Sequence, residues 1–166
     1  VVQASRGRVP VIGAIHHKDT VRSIRHAREA QELGAIALQV TPPLFNDPTQ
    51  DDILRYFSDV SDAIDIGIMI YNTHWFCLDP LNEYMRAETL LRMKDAEHVV
   101  TVKWSVPEGE DYDQIFSVMD TFNVIDNSGQ FVRNHKNGGR GFISSYVAVY
   151  PPYDLEVWRL LEARRY

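Results

Sequence analysis

Cysteine is nearly absent from this chain. Cys77 stands alone, so no internal disulfide can form and a disulfide-stapled secreted scaffold is excluded. Concentrated positive charge is missing too: 17 Lys and Arg against 23 Asp and Glu leave a formal net charge of −6. No basic run is available to neutralise a phosphate backbone or an anionic membrane, and the short ending "EARRY" is too small to change that. Long hydrophobic runs are also lacking. The longest, such as "GIMIY", are strand-sized and far short of the ~20 apolar residues that span a bilayer. The opening "VVQASRGRVP" has no apolar core of the kind a secretory signal needs. These absences imply a cytoplasmic protein with neither nucleic acid nor membrane as partner.

What is present is ordinary globular material. With 45% hydrophobic and 24% charged residues in 166, the chain can build one sizeable core, and one domain is expected. Short β-branched runs alternate with longer amphipathic segments every 20 to 30 residues or so, the spacing of βα units. The first strand is read over Val9–Ile15. The helix after it is capped by Asp19 or Thr20, with Val21, Ile24, Ala27, Ala30 and Leu33 on one apolar face and Gly34 at its left-handed end. "AIALQVT" is the second strand, "PPLFNDP" a turn-rich loop, and Thr49 to Ile64 a helix. "GIMIY" is the third strand, followed by the long loop "NTHWFCLDPLNEYM" and a helix near Arg86 to Lys94. "HVVTVK" is the fourth strand, "DYDQIFSVMDT" a helix, "FNVIDN" the fifth strand and "SGQFVRNHKNG" a helical segment. "GFISS" is the sixth strand, and "LEVWRLLEARRY" a helix following the breaker "YPPYD".

Nearly all six strands read as continuous apolar runs, which predicts a parallel sheet buried on both faces. Two architectures fit: a doubly wound sheet, or a (β/α)8 barrel of which this chain supplies about six units, since a complete one takes ~250 residues.

In both architectures ligands meet the carboxyl ends of the strands, so a polar residue closing an apolar strand is a candidate for chemistry. Lys103 closes "HVVTVK" and Tyr71 closes "GIMIY". A desolvated amine has a lowered pKa, and its neutral fraction can attack a carbonyl to form a Schiff base, with a phenol beside it relaying protons. The plainer alternative is that Lys103 snorkels from the strand end while Tyr71 merely packs. Trp75 and Trp104, directly after the two strand ends, are candidate pocket walls. His16 and His17 complete no recognised metal spacing, so no metal is expected. Asp126 and Asn127 fit a helix cap better than a ligand site. "NGGRGF" precedes a strand instead of following one, so it is a turn and not a phosphate cradle.

Together these segments resemble the dihydrodipicolinate synthase and N-acetylneuraminate lyase superfamily, the class I pyruvate-type aldolases. "RVPVIGAI" is similar to that family's third strand and "GAIALQVTPPLFNDPTQDDILRYFSDVSDAID" to its fourth unit. "IGIMIYN" is similar to the fifth strand with its Tyr-Asn pair, and "HVVTVKW" to the sixth with the Schiff-base lysine. "NVIDNSGQ" resembles the seventh, and "GGRGFISSYVAVYPP" the eighth, with its Gly-x-x-Gly-x-Ile-Ser pattern. The ordered series spans nearly the whole chain. The resemblance implies a (β/α)8 TIM barrel of which this chain supplies about strands 3 to 8. It implies a lyase, an aldolase or dehydratase acting on pyruvate or a related 2-oxo acid, with Lys103 forming the imine and Tyr71 moving protons. It implies no separate cofactor beyond that covalent imine, and a homotetramer. Phe45, Asn72, His74, Trp75, Phe76, Trp104, Ile143 and Ser144 are then the expected substrate-binding residues, His74 being a further candidate acid or base.

The departures carry expectations of their own. The family's first two strands, with the Gly-Thr-Thr-Gly-Glu type loop that binds the substrate carboxylate, have no counterpart in residues 1–166, and most of the C-terminal helices are missing. A single partial barrel domain, inactive by itself, is expected. Phe76 stands near the place of an arginine that binds the aldehyde substrate in dihydrodipicolinate synthase, Phe45 where a tyrosine pair is usual, and Trp104 where an acidic residue often follows the lysine. These three differences argue against dihydrodipicolinate synthase proper and for a more apolar second substrate or a sugar acid. An alternative is a barrel of the same family that binds ligands or regulates without catalysis. A third is a flavodoxin-like open sheet with Lys103 and Tyr71 far apart.

Overall fold

The computed structural model describes residues 1–16, 19–43, 47–75, 85–106 and 109–166. Its strands are β1 (Ile12–Ile15), β2 (Ala37–Val40), β3 (Gly67–Asn72), β4 (Val99–Trp104), β5 (Asn123–Asp126) and β6 (Gly141–Phe142). They form one sheet in chain order, and each neighbouring pair is parallel. A doubly wound sheet reverses its strand order partway and so places helices on both faces. An order that never reverses, with crossovers of one hand, keeps all the connecting helices on one face and curls the sheet toward closure. The architecture is therefore a partial (β/α)8 barrel, and the open flavodoxin-like alternative is excluded.

The helices are α1 (Val2–Ser5), α2 (Thr20–Glu32), α3 (Gln50–Ser61), α4 (Ala87–Arg92), α5 (Phe131–Lys136) and α6 (Pro151–Glu162). Short 3₁₀ turns lie at Met93–Asp95, Tyr112–Val118 and Tyr146–Ala148. The cap expected for α2 forms, and α3 has one as well. Asp19 accepts from the Arg22 amide at 2.7 Å at the start of α2, and Thr49 and Asp52 make a reciprocal capping box at the start of α3. Gly34, at φ 89°, takes the left-handed position after α2. "NGGRGF" is the predicted turn, and Gly139 is required there. A Cβ on it would meet the Asn134 side chain at 2.1 Å, and that amide donates to the Gly141 carbonyl at 3.2 Å.

The core lies between sheet and helices. Leu38, Val40, Ile68, Ile70, Val102 and Val124 on the strands pack against Ile53, Phe57 and Val60 of α3, Leu90 of α4, and Ile115. Each such side chain, fully buried, contributes roughly 1.5–3 kcal/mol. The other face of the sheet differs from the sequence expectation: Ile12 is exposed, and Gln39, Thr101 and Ile125 are only half-buried. This is the inner face of the barrel, whose cover comes from strands across the barrel axis and not from helices, and six strands arc only part of the way round.

Four local readings are corrected. Of the face read for α2, Ile24, Ala27 and Ala30 do pack on the core, but Val21 and the C-cap Leu33 are exposed and Ser23 is buried in their stead, because Tyr56 of α3 donates to Ser23 Oγ at 2.8 Å and fixes the helix rotation. "DYDQIFSVMDT" contains a 3₁₀ segment where an α-helix is predicted: its buried residues Tyr112, Ile115 and Val118 recur every third position, which is the 3₁₀ repeat. The sixth strand is shorter than "GFISS", ending at Phe142. In "YPPYD" the prolines do not precede the last helix but begin it, at positions where the missing N–H is no loss.

Candidate active site

Parallel pairing in register sets Tyr71 beside Lys103 and Asn72 beside Trp104. Side chains alternate between the faces of a strand, so the first pair shares the inner face and the second pair the outer face toward the helices. That one-residue difference separates reactive groups from core.

Lys103 is 8% exposed although it is a cation. Its Nζ sits 3.7 Å from the centroid of the Tyr71 ring and donates to Gln39 Oε1 on β2 at 3.3 Å. Burial lowers the amine pKa below its ordinary value. Among the described residues these partners are neutral, so nothing ties the amine into an ion pair. Tyr71 is buried and meets Trp75 edge-on at 6.3 Å and His16 edge-on at 6.2 Å. The phenol thus offers Nζ its ring face, with the hydroxyl at the ring margin. His16 Nδ1 lies 3.1 Å from Thr41 Oγ1 at the end of β2. His74 packs on Trp75 at 5.5 Å; its Nδ1 is buried without a hydrogen-bond partner, and burial lowers its pKa. Trp75 is 59% exposed, so its indole is available to a ligand. Lys103, Tyr71, His74 and Trp75 are therefore gathered at one end of β3 and β4.

Other expected site residues fall elsewhere. Trp104 is fully buried in the helix-facing core, and its Nε1 donates to the Tyr112 carbonyl at 3.3 Å. It is a structural anchor and not a pocket wall. Asn72 spends its amide on the backbone of Met85, donating to the carbonyl at 2.9 Å and accepting from the amide at 3.0 Å, which reproduces a rung of strand pairing. Ile143 and Ser144 line a cleft of about 420 Å³ with Val147, Leu155 and Trp158, beside β6 and α6. Phe45, Phe76, Cys77 and His17 lie outside the described residues.

The N-cap position of α5 falls on Gln130, which makes no side-chain cap, and Asp126 stands in the turn before it, where the Ser128, Gln130 and Gly129 amides act on its carboxylate. Its Oδ1 accepts from the Tyr112 hydroxyl at 2.9 Å and from the Ser128 amide at 3.1 Å, while Oδ2 is buried without a partner. Burial raises the Asp126 pKa above the carboxylate value, more than the Ser128 amide and the Tyr112 hydroxyl lower it. A carboxyl whose folded pKa is raised adds stability that is fully present below the unfolded pKa, near 3.8, and is lost as pH rises through the folded one. Asp126→Asn, which keeps the acceptor oxygen and removes the charge, is therefore expected to gain stability relative to wild type as pH rises from 4 to 7. Paired urea titrations across that range check the slope, and a pH-independent difference would contradict it.

Gln39 was missed. The signal that could have found it is the one that exposed Lys103: a polar residue inside an apolar run, "AIALQVT".

A partial barrel with consecutive parallel strands and a buried lysine over a tyrosine at the carboxyl end of two neighbouring strands defines a barrel protein with an amine-bearing site. This chain belongs to the dihydrodipicolinate synthetase family, whose model matches residues 1–163. It is 35% identical over 102 residues to a 4-hydroxy-tetrahydrodipicolinate synthase of Sphingopyxis alaskensis, covering 61% of this chain and 34% of that protein. It is 27% identical over 157 residues to the synthase of Staphylococcus saprophyticus, covering 91% and 51%. Dihydrodipicolinate synthase from Aquifex aeolicus superposes with a TM-score of 0.84 at 25% identity, over 99% of this chain and 56% of that one. The chain spans about half the length of these relatives, or less. Both curated relatives carry the name of the synthase that three residue differences argued against. Of those three, Trp104 belongs to the core and Phe45 and Phe76 lie outside the described residues, so the structure lends that exclusion no support.

Proposed function

We propose that the protein is a Schiff-base-forming lyase of the class I aldolase type, acting on pyruvate or a related 2-oxo acid through Lys103. The observation that carries this reading is the placement of Nζ, on a buried lysine, against partners that are neutral among the described residues, at the carboxyl end of the sheet. Burial raises the neutral fraction of the amine, whose lone pair adds to the 2-oxo carbonyl; loss of water then gives an imine. Protonated, that imine draws electrons from the adjacent carbon, so a carbon–carbon bond or a leaving hydroxyl beside it can break or form. The face of the Tyr71 ring favours a cation at this position, both the ammonium and the iminium. The Tyr71 hydroxyl serves as proton relay, and Trp75 and His74 border the space for the second substrate. Homotetrameric assembly accompanies this reading and is checked by light scattering.

Borohydride reduction of the full-length protein in the presence of pyruvate tests it, as it does for every variant below: the expected result is a reduced pyruvyl adduct mapped to Lys103. Pyruvate binding with no adduct on any lysine would favour the ligand-binding barrel instead. Tyr71→Phe separates the two roles of the tyrosine. With the ring retained beneath Nζ, adduct formation is expected to persist while turnover falls on the order of 10²- to 10⁴-fold, the range for a lost general acid–base group. Equal losses in trapping and turnover would put the hydroxyl in imine formation itself.

A further inference from the structure

We propose that Gln39 is a positioning residue for the Lys103 amine, its side-chain carbonyl holding one N–H of Nζ so that the nitrogen stays fixed over Tyr71 with its lone pair free. The proposal takes its chemical purpose from the Schiff-base reading above, but its test does not depend on that reading.

The geometry is that of three strands converging on one atom. Gln39 pairs with Met69 in register, Tyr71 with Lys103, and all four lie on the inner face. The Gln39 side chain therefore reaches across β3 to meet Nζ at 3.3 Å, while the Tyr71 ring supports the same nitrogen from 3.7 Å. Ile125, the register partner of Lys103 on β5, adds only hydrocarbon. Beyond Tyr71 stand His16 and Trp75, both edge-on to its ring.

An acceptor engages an N–H and leaves the lone pair of a neutral amine available for attack, whereas a donor would occupy the lone pair. After condensation, the protonated imine keeps a single N–H, and the same carbonyl can receive it. A carboxylate in this place would do something different. An opposite charge at that range typically moves a pKa by 1–3 units, so the Gln39→Glu substitution would hold Lys103 protonated and cut its neutral fraction about 10- to 1000-fold at a given pH. The neutral amide fixes the nitrogen without this penalty.

The test is competitive acetylation of Lys103, read by peptide mass spectrometry from pH 6 to 11, in wild type, Gln39→Glu and Gln39→Leu, without pyruvate. The midpoint is expected to rise by about one unit or more in Gln39→Glu and to fall in Gln39→Leu, where the ammonium loses its acceptor. Borohydride trapping with pyruvate on the same three proteins is expected to slow in both variants, through rate rather than through pyruvate affinity. Unchanged midpoints overturn the proposal. If Gln39→Leu does not fold, the isosteric Gln39→Glu decides alone. Shifted midpoints in proteins that never add pyruvate would leave Gln39 holding Nζ and remove the lyase reading; unshifted midpoints with normal adducts would do the reverse.

Discussion

Lys103→Arg is expected to abolish the reduced pyruvyl adduct and to lower turnover by on the order of a thousandfold or more, because guanidinium keeps its proton and cannot act as the nucleophile of a covalent route. Arginine keeps a cation beside Tyr71, so the variant isolates nucleophilicity from charge. The companion Lys103→Met removes both. Its expected stability equals or exceeds that of wild type: the buried amine has a lowered pKa, meaning that its charge costs stability at neutral pH, and an apolar chain of similar length relieves that cost. Loss of activity without loss of stability is the signature of a residue kept for chemistry. If both variants retained turnover within about tenfold of wild type, or if Lys103→Met unfolded, the lysine would be a packing residue and the plainer alternative would be right.

The course of the chain was legible because parallel strands announce themselves. "GIMIY" and "HVVTVK" are apolar, β-branched and bounded by turn residues, and their neighbourhood follows once the order is sequential. The pairing of Tyr71 with Lys103 was legible for the same reason: each ends the apolar run of its strand, and although each strand continues one residue further, to Asn72 and Trp104, adjacent parallel strands of one length bring these positions side by side. What failed was the step from sequence adjacency to spatial adjacency. Trp104 and Asn72 follow the reactive residues by one position, which on a strand reverses the face, so Trp104 enters the core and Asn72 pins Met85. Trp75 follows Tyr71 by four, beyond the strand, and does remain at the site. Gln39 stands out as a polar residue inside an apolar run, but its contact with Lys103 crosses the intervening strand β3, which no local pattern displays. The 3₁₀ segment at Tyr112–Val118 was missed because its three-residue repeat of buried side chains is nearly that of an α-helix over so short a run.

The position of Trp104 yields the second large effect. Trp104→Ala is expected to cost about 3–5 kcal/mol, the range for deleting a buried large aromatic side chain. The indole is fully enclosed by the helix-facing core, and its removal also leaves the Tyr112 carbonyl without its donor. Tyr112 in turn donates to Asp126, so the change loosens the segment that links β4 to β5, directly beyond Lys103. A domain of ordinary stability holds only about 5–15 kcal/mol in total, so the variant should melt roughly 10 °C or more below wild type. Trp75→Ala provides the contrast: with an exposed indole, it should change stability by about 0.5 kcal/mol or less and act on the second substrate. Thermal denaturation and steady-state kinetics on both variants decide the matter. If Trp104→Ala kept its melting temperature and instead raised KM for the second substrate, the indole would be a pocket wall, and the assignment of faces on β4 would be reversed. Because Lys103 and Trp104 occupy opposite faces of the same strand, that reversal would carry Lys103 into the helix layer, where no substrate could reach it. The stability of Trp104→Ala is therefore also a test of where the amine points.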